Sequence, residues 1–129
     1  MCTILLSVKP EYSNRILAGT KKFEFRRQVA KRHVDQILIY STFPEMKVVA
    51  SVAVLGVLKE TPSKLWQKTK EFSGISHEKY TAYFSQKDFA YAYQLGEVKK
   101  FEKPKDLSEY GITAAPQSFV YIESATLSR

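Results

Sequence analysis

The stretch GTKKFEFRR, Gly19–Arg27, determines how the rest of this sequence is interpreted. It places four cations, one carboxylate and two phenylalanines directly behind a glycine. Lys21–Arg26 is expected to be a β-strand, because charged and aromatic residues alternate from Lys22 to Arg26 and successive strand side chains point to opposite faces. We therefore expect the two phenylalanines to face the core and the charged residues to face the other way. The segment is either a basic surface strand or the floor of a site.

The residues before this strand predict another strand and then a helix. Thr3–Val8 is apolar enough for a buried strand. Pro10 suits the first position of a helix, where its missing N–H costs nothing. Gly19 is the expected helix end, since glycine adopts the left-handed conformation without a steric penalty.

Four more strands are expected along the remaining chain, at Val34–Tyr40, Val48–Leu58, Phe89–Leu95 and Gln117–Ile122. Gly56 indicates a bulge within the second of these, and Thr61 and Ser76 are the predicted caps of two helices. Pro104–Tyr110 is expected to be a loop or a single helical turn, and the last residues are expected to fray.

Six strands with two or three helices in the connections predict an α+β fold, a small and mostly antiparallel β-barrel. The length of 129 residues suits one domain, residues 1–129.

The net charge of +7 is concentrated in one part of the chain. Between Lys9 and His33, eight Lys or Arg residues stand against Glu11 and Glu24, and eight minus two gives +6. A clustered positive field favours phosphate-bearing partners, namely RNA, another nucleic acid or a nucleotide. A solvated basic face is the alternative explanation of the same charge.

Several classes of protein are disfavoured by the composition. Cys2 is the single cysteine and cannot form an internal disulfide, which favours a reduced, cytoplasmic setting. No apolar run approaches the roughly 18 residues of a membrane span, so no membrane partner is expected. His33 and His77 lack the spacing of metal ligands, and no nucleotide-binding glycine pattern is present. We expect neither a metal nor a cofactor.

Gly19–Arg26 resembles the G-x-K-x-x-E-x-R signature of the ASCH domains. The preceding SVKPEYSNRILAG, residues 7–19, is similar to that family's opening strand and helix. YFSQKDFAYAYQLGEVKKFEKPKDL, residues 83–107, is similar to its later strand and loop. The resemblance implies a PUA-like β-barrel, related to RNA-binding PUA domains and to the EVE and YTH modified-base readers. It also implies a cleft beside the barrel that carries the signature residues.

Members of the ASCH family are described mostly as RNA- or nucleic-acid-binding modules, often as transcriptional regulators, and some are enzymes. One branch hydrolyses the acetyl amide of N4-acetylcytidine with a Lys, a Thr and a Glu. Lys21 matches that Lys, whereas Glu24 stands at the position of the Thr. Glu71 and Glu78 lie in the region of the branch's Glu. The hydroxyl of that branch is therefore absent from this signature.

Lys21, Glu24 and Arg26 are the candidate ligand-binding residues of the cleft. The ammonium of Lys21 could reach a phosphate, and the carboxylate of Glu24 could accept from a base amino group. Arg26 could hold a phosphate as a bidentate fork or hold Glu24 in place. If the pair is instead an ordinary exposed ion pair, it contributes little. In either case we expect the fold to tolerate Arg26→Ala.

Cations and aromatic rings around the signature extend the candidate site. Arg27, Lys31 and Arg32 are the predicted phosphate-binding rim. Tyr91 and Tyr93 could form a stacking platform for bases, although the same alternation is typical of rings that fill a barrel.

Three functions are consistent with these residues. The leading hypothesis is an RNA- or modified-nucleotide-binding module with a regulatory role. The second is a nucleoside or nucleic-acid hydrolase, amidohydrolase-like or a ribonuclease, with Lys21 as the reactive group and Glu24 as general acid/base. It requires a lowered pKa for Lys21, which burial would supply and Glu24 would oppose. The third is a protein-interaction module whose basic face meets an acidic partner.

Overall fold

The structure is a computed structural model and describes residues 1–127. The strands are β1 Thr3–Val8, β2 Phe23–Arg26, β3 Gln36–Ser41, β4 Lys47–Glu60, β5 Ala90–Lys105 and β6 Phe119–Ile122. The helices are α1 Pro10–Ala18, α2 Pro62–Thr69, α3 His77–Tyr83 and the single turn α4 Ser124–Leu127. Two 3-10 turns span Lys70–Phe72 and Leu107–Tyr110. The expectation of a frayed end concerns residues that lie partly outside the described range.

The strands form one sheet in the order β2-β5-β4-β3-β1-β6. β1 and β3 are parallel, and the other neighbours are antiparallel. The sheet curls into a half-barrel: β2 and β1 are separated by three strands, yet Nη2 of Arg26 in β2 donates to the carbonyl of Ser7 in β1 at 2.8 Å. The predicted α+β fold, a curled and mostly antiparallel sheet with helices in its connections, is confirmed.

Two apolar clusters cover opposite faces of the β2–β5 end of the sheet. Ile4 and Leu6 of β1, with Tyr93 of β5, belong to the core inside the half-barrel, which α1 covers through Ile16. Phe25, in contrast, packs outside among the rings of the α2 and α3 region. Because both faces of this end are covered, β2 has no face that is simply open to water.

The predicted helix boundaries hold where local capping determines them. Gly19 ends α1 with φ 83°, and its N–H donates to the carbonyls of Arg15 and Ile16. Thr61 and Ser76 each accept from the backbone N–H three residues on, as the cap assignments required. The predicted irregularity at Gly56 is confirmed, since the β4–β5 register shifts between Val54 and Gly56.

Most strand boundaries lie within two residues of their predicted positions, but the end of β5 does not. β5 continues to Lys105, ten residues beyond its predicted end at Leu95. The basic stretch after Leu95 lies outside the predicted strand, but it pairs with β4 as far as Val48↔Lys105. The long strand β4 supplies the backbone hydrogen bonds for this part of β5, and the local sequence does not indicate this pairing. Pro104 therefore lies in a strand, and only Leu107–Tyr110 forms the predicted turn.

Within residues 1–127, none of the helices combines the length and apolar character needed to span a membrane. The described residues also contain no group of three or more His, Cys, Asp or Glu side chains placed to hold a metal ion.

Candidate functional site

A cleft of about 560 Å³ opens where β2 approaches the end of β1, between helices α1 and α3. Lys21, Glu24 and Arg26 all line it, so the fold brings the three candidate signature residues together in one place. The walls and rim include Tyr12, Lys79 and Tyr83.

Lys21 is buried at the inner end of the cleft and is only 3% exposed. Its ammonium donates to the carbonyl of Ser73 at 2.7 Å and lies 4.8 Å and 5.2 Å from the ring centroids of Phe25 and Tyr12. Burial lowers the pKa of Lys21 from 10.5 to about 8, although the negative charge of Glu24 opposes the shift. This is the direction that the hydrolase hypothesis requires.

Gly74 holds the stem of Lys21 in place. It has φ +63°, and a Cβ at this position would lie 2.4 Å from Cβ and 2.6 Å from Cγ of Lys21. Hence only glycine lets the backbone approach the lysine this closely. Two further hydrogen bonds hold this segment against Lys21. The N–H of Lys22 donates to the carbonyl of Phe72 at 2.8 Å, and Nη1 of Arg15 donates to the carbonyl of Gly74 at 2.9 Å.

Glu24 and Arg26 form a largely buried ion pair rather than an exposed one. Nε and Nη2 of Arg26 donate to the same carboxylate oxygen, Oε2 of Glu24, at 3.1 Å and 2.7 Å. The side chains are 13% and 8% exposed for Arg26 and Glu24. Burial alone would lower the pKa of Arg26, but the charge and hydrogen bonds of Glu24 outweigh burial, so the pKa lies above its usual value.

The expectation that the fold tolerates Arg26→Ala is therefore wrong in its premise. It assumed a charged face open to the ligand, whereas Arg26 also anchors β2 to β1 through Ser7. Removal of the guanidinium would leave the carboxylate of Glu24 buried without its partner.

The second carboxylate oxygen of Glu24, Oε1, has no protein partner among the described residues, and Glu24 lines the cleft. Within the described residues Oε1 accepts no hydrogen bond, and it is not among the side-chain atoms sealed from solvent. The carboxylate thus has one oxygen committed to the protein and one available to a ligand.

The rim of the cleft combines rings with cations. The guanidinium of Arg27 stacks 4.2 Å from the centroid of Tyr83, and its Nε donates to the Tyr83 carbonyl at 2.9 Å. Across the mouth, the ammonium of Lys79 in α3 pairs with Glu11 in α1 at 3.4 Å. Because Tyr83 lines the cleft, its contact with Arg27 places that guanidinium beside the cleft.

Other candidates lie away from the cleft. Arg32 lies over the ring of Tyr121 at 4.2 Å, and Lys31 is exposed on the same connection, so neither lines the cleft. The exposed Glu71 and Glu78, which the resemblance to the hydrolase branch singled out, do not line it either.

The predicted stacking platform of Tyr91 and Tyr93 does not form as a pair. Tyr93 is 1% exposed inside the half-barrel, and its hydroxyl accepts from the N–H of Ala30 at 2.8 Å. Its ring is a core residue, as the alternative interpretation had it. Tyr91 is partly exposed at the end of the sheet.

Sequence reasoning missed Ser73 and Gly74 as parts of the site. They lie more than 50 positions from Lys21 in the chain, so no local pattern connects that lysine with Ser73 or Gly74. The occurrence of Gly74 in a short helix-to-helix connection gave no indication of the lysine it accommodates.

The model of the family described as "ASCH domain" matches residues 6–105. This chain belongs to the ASCH domain family. The implied family is thus confirmed. A relative from Zymomonas mobilis named "ASCH domain-containing ribonuclease" is 27% identical over 92 residues, which cover 70% of this chain and 62% of that protein.

The large ribosomal subunit protein uL22 of Ureaplasma parvum is 33% identical over 122 residues, covering 94% of this chain. The match covers 39% of that protein, so this chain corresponds to about two-fifths of the relative's length.

Solved structures share the fold. The crystal structure of ASCH from Zymomonas mobilis superposes with a TM-score of 0.90 at 23% identity, covering 98% of this chain and 91% of that one. The N-terminal domain of Staphylothermus marinus McrB superposes with a TM-score of 0.60 at 13% identity, covering 98% and 91%. At such identities the likeness concerns the fold, which is the PUA-like architecture of ASCH domains.

Proposed function

We propose that this ASCH domain is a cytoplasmic module that binds RNA, or a modified nucleotide, by taking one nucleobase into the cleft. The observation that carries the proposal is that only one of the two carboxylate oxygens of Glu24 accepts hydrogen bonds from the protein. Oε2 accepts from Arg26, while Oε1 has no protein partner among the described residues and belongs to a side chain that lines the cleft. A buried acceptor in this position is suited to a ligand that brings a hydrogen-bond donor.

A nucleobase supplies the complementary groups. Its exocyclic amino group can donate to Oε1 of Glu24, as acidic side chains accept from cytosine N4. The ammonium of Lys21 donates one of its three hydrogens to the carbonyl of Ser73. It therefore retains donors for a ring carbonyl or a phosphate. The rings of Tyr12 and Tyr83 line the cleft as apolar walls for the base.

The charge of the cleft favours an anionic ligand. Its ionisable lining consists of Lys9, Lys21, Arg26 and Lys79 against Glu11 and Glu24, four minus two, which gives +2 with Lys21 charged. Arg27 adds a further cation at the rim. The relative named a ribonuclease supports RNA as the class of ligand.

The test is a titration of short single-stranded RNAs against wild type, Glu24→Gln and Glu11→Gln over a series of salt concentrations. Both variants remove one negative charge, but Glu11 is exposed at the rim whereas Glu24 is buried. We expect Glu24→Gln to weaken binding and alter the base preference, because an amide replaces the acceptor. Glu11→Gln should keep the preference. The logarithm of affinity should fall with that of salt by about 0.7 per phosphate contacted.

Equal base preference in wild type and Glu24→Gln would contradict the role of Glu24. Failure of the wild type to bind any RNA or nucleotide at low salt would contradict the proposed function itself.

A hydrolase acting on the bound nucleotide is the second candidate, favoured by the pKa of about 8 for Lys21. An amine with this pKa is partly neutral near pH 7 and can act as a base. Product formation from RNA and from N4-acetylcytidine should then rise with pH to a plateau above about pH 8 and disappear in Lys21→Met. Binding without product by the wild type would leave the binding module as the function.

A further inference from the structure

An exposed patch of two rings and one cation lies at the end of the sheet, outside the cleft. It consists of Phe89, Tyr91 and Lys59, and we call it the strand-end patch. The ammonium of Lys59 lies 4.6 Å from the ring centroid of Phe89 and 5.9 Å from that of Tyr91. Phe89 is 49% exposed. A ring so open to water contributes little to the core, so packing does not explain it.

The pairing of the strands connects this patch to the cleft. Arg26 of β2 pairs with Tyr91 of β5, which pairs with Lys59 of β4. Directly paired residues of antiparallel strands project from the same face. With neighbouring strands about 4.8 Å apart, the backbones of Arg26 and Lys59 lie about 10 Å from each other. Arg26 lines the cleft, so one row of side chains leads from the cleft to the patch.

The charge along this row is positive. Arg27 follows Arg26 and stacks on Tyr83 of the cleft wall. Lys87 and Asp88, the exposed residues before Phe89, cancel in charge. Lys59 in the row and Arg27 beside the cleft therefore add positive charge at the patch and at the cleft.

We propose that the strand-end patch binds a nucleotide that flanks the one in the cleft, so that the site accommodates single-stranded RNA in preference to a free nucleotide. The proposal rests on the proposed function. A cationic surface that follows the backbone, combined with rings on which bases stack, is the usual combination in proteins that bind single strands. One base enters the cleft, the backbone passes Arg26 and Arg27, and a neighbouring base stacks on Phe89 and Tyr91 beside Lys59.

The experiment compares the four ribonucleoside 5′-monophosphates with homopolymeric RNA pentamers of the same bases. Each is titrated against wild type, Phe89→Ala, Lys59→Gln and Phe43→Ala. Phe43 is the matched control, since its ring is 79% exposed on the turn between β3 and β4. Thermal unfolding of each variant checks that the fold is kept.

We expect Phe89→Ala to weaken pentamer binding roughly 5- to 150-fold, which corresponds to the loss of one base–aromatic stack. Binding of the monophosphates should not change. Lys59→Gln should lower the salt slope for the pentamer by about 0.7, the contribution of one phosphate. Phe43→Ala should bind both ligands as wild type does.

A pentamer that binds wild type no more tightly than its monophosphate would overturn the patch and leave the cleft proposal standing. So would pentamer binding that Phe89→Ala leaves unchanged, or an equal loss for both ligands. Wild type that binds neither ligand would instead overturn the proposed function on which the patch depends.

Discussion

Two cations of the signature, the buried Lys21 before β2 and the mostly buried Arg26 at its end, lie in the same cleft but have different electrostatic surroundings. The ammonium of Lys21 has a backbone carbonyl and two aromatic rings as neighbours. The guanidinium of Arg26 has the carboxylate of Glu24 in direct contact. Accordingly the pKa of Lys21 falls to about 8, and that of Arg26 lies above its usual value.

Burial alone therefore does not set the pKa of these two cations, because the group in contact with each of them also contributes. Contacts with dipoles and rings do not offset the loss of hydration of Lys21, which can therefore give up its proton near neutral pH. A charge-assisted pair does offset it for Arg26, which stays charged and ties β2 to β1. Arg26 is thus suited to a permanent structural and electrostatic role, and Lys21 to contact with a ligand or reacting group.

The largest change in the free energy of unfolding is expected when the Glu24–Arg26 ion pair is removed. Arg26→Ala leaves Glu24 mostly buried and without its direct partner, and breaking such a pair costs about 3–5 kcal/mol. The free energy of unfolding in urea measures the cost. Arg27→Ala is the matched control: Arg27 is exposed, and its loss should cost less than about 1 kcal/mol. Equal costs for the two variants would contradict the structural role of Arg26.

The Lys21 side is tested by the pH dependence of stability. The pKa of Lys21 is about 8 in the folded protein and 10.5 as its ordinary value, so the unfolded chain binds more protons between these pH values. Stability contributed by this group therefore rises with pH across that window. Relative to Lys21→Met, the wild type should gain about 3 kcal/mol of unfolding free energy from about pH 8 to about pH 10.5. Parallel curves for the two proteins would refute the lowered pKa.

The smallest effect concerns the backbone that keeps Lys21 buried. Gly74 and Gly19 both have positive φ, but a Cβ at Gly74 would meet Lys21 at 2.4 Å, whereas one at Gly19 has nothing within 4 Å. Gly19→Ala should therefore show the conformational cost alone. Gly74→Ala should lose about 1–3 kcal/mol more, the usual cost of overpacking.

Gly74→Ala should also displace Lys21 and reduce the pH dependence described above. If the two glycine variants lose equal stability, the close approach of Gly74 to Lys21 does not hold the lysine in place.

Much of the fold is determined by interactions between residues close in the chain. The opening strand, helix and strand, the αL glycine at Gly19 and the caps at Thr61 and Ser76 all follow from local propensity and capping. The signature Gly19–Arg26 likewise indicates the family without any tertiary information. Each of these features depends on residues only a few positions apart, so it can be predicted without knowledge of the folded structure.

The character of the site depends instead on which surfaces meet. Alternation along β2 predicts two faces, but it cannot tell that the curled sheet covers both, and so it could not predict the burial of Glu24 and Arg26. The carbonyl that receives the ammonium of Lys21 is 52 positions away, and the one that receives Arg26 is 19 away. The packing of distant segments likewise buries the ring of Tyr93 in the core and leaves that of Phe89 exposed. Desolvation and long-range pairing depend on the whole enclosing surface, which forms only when distant segments of the chain pack together.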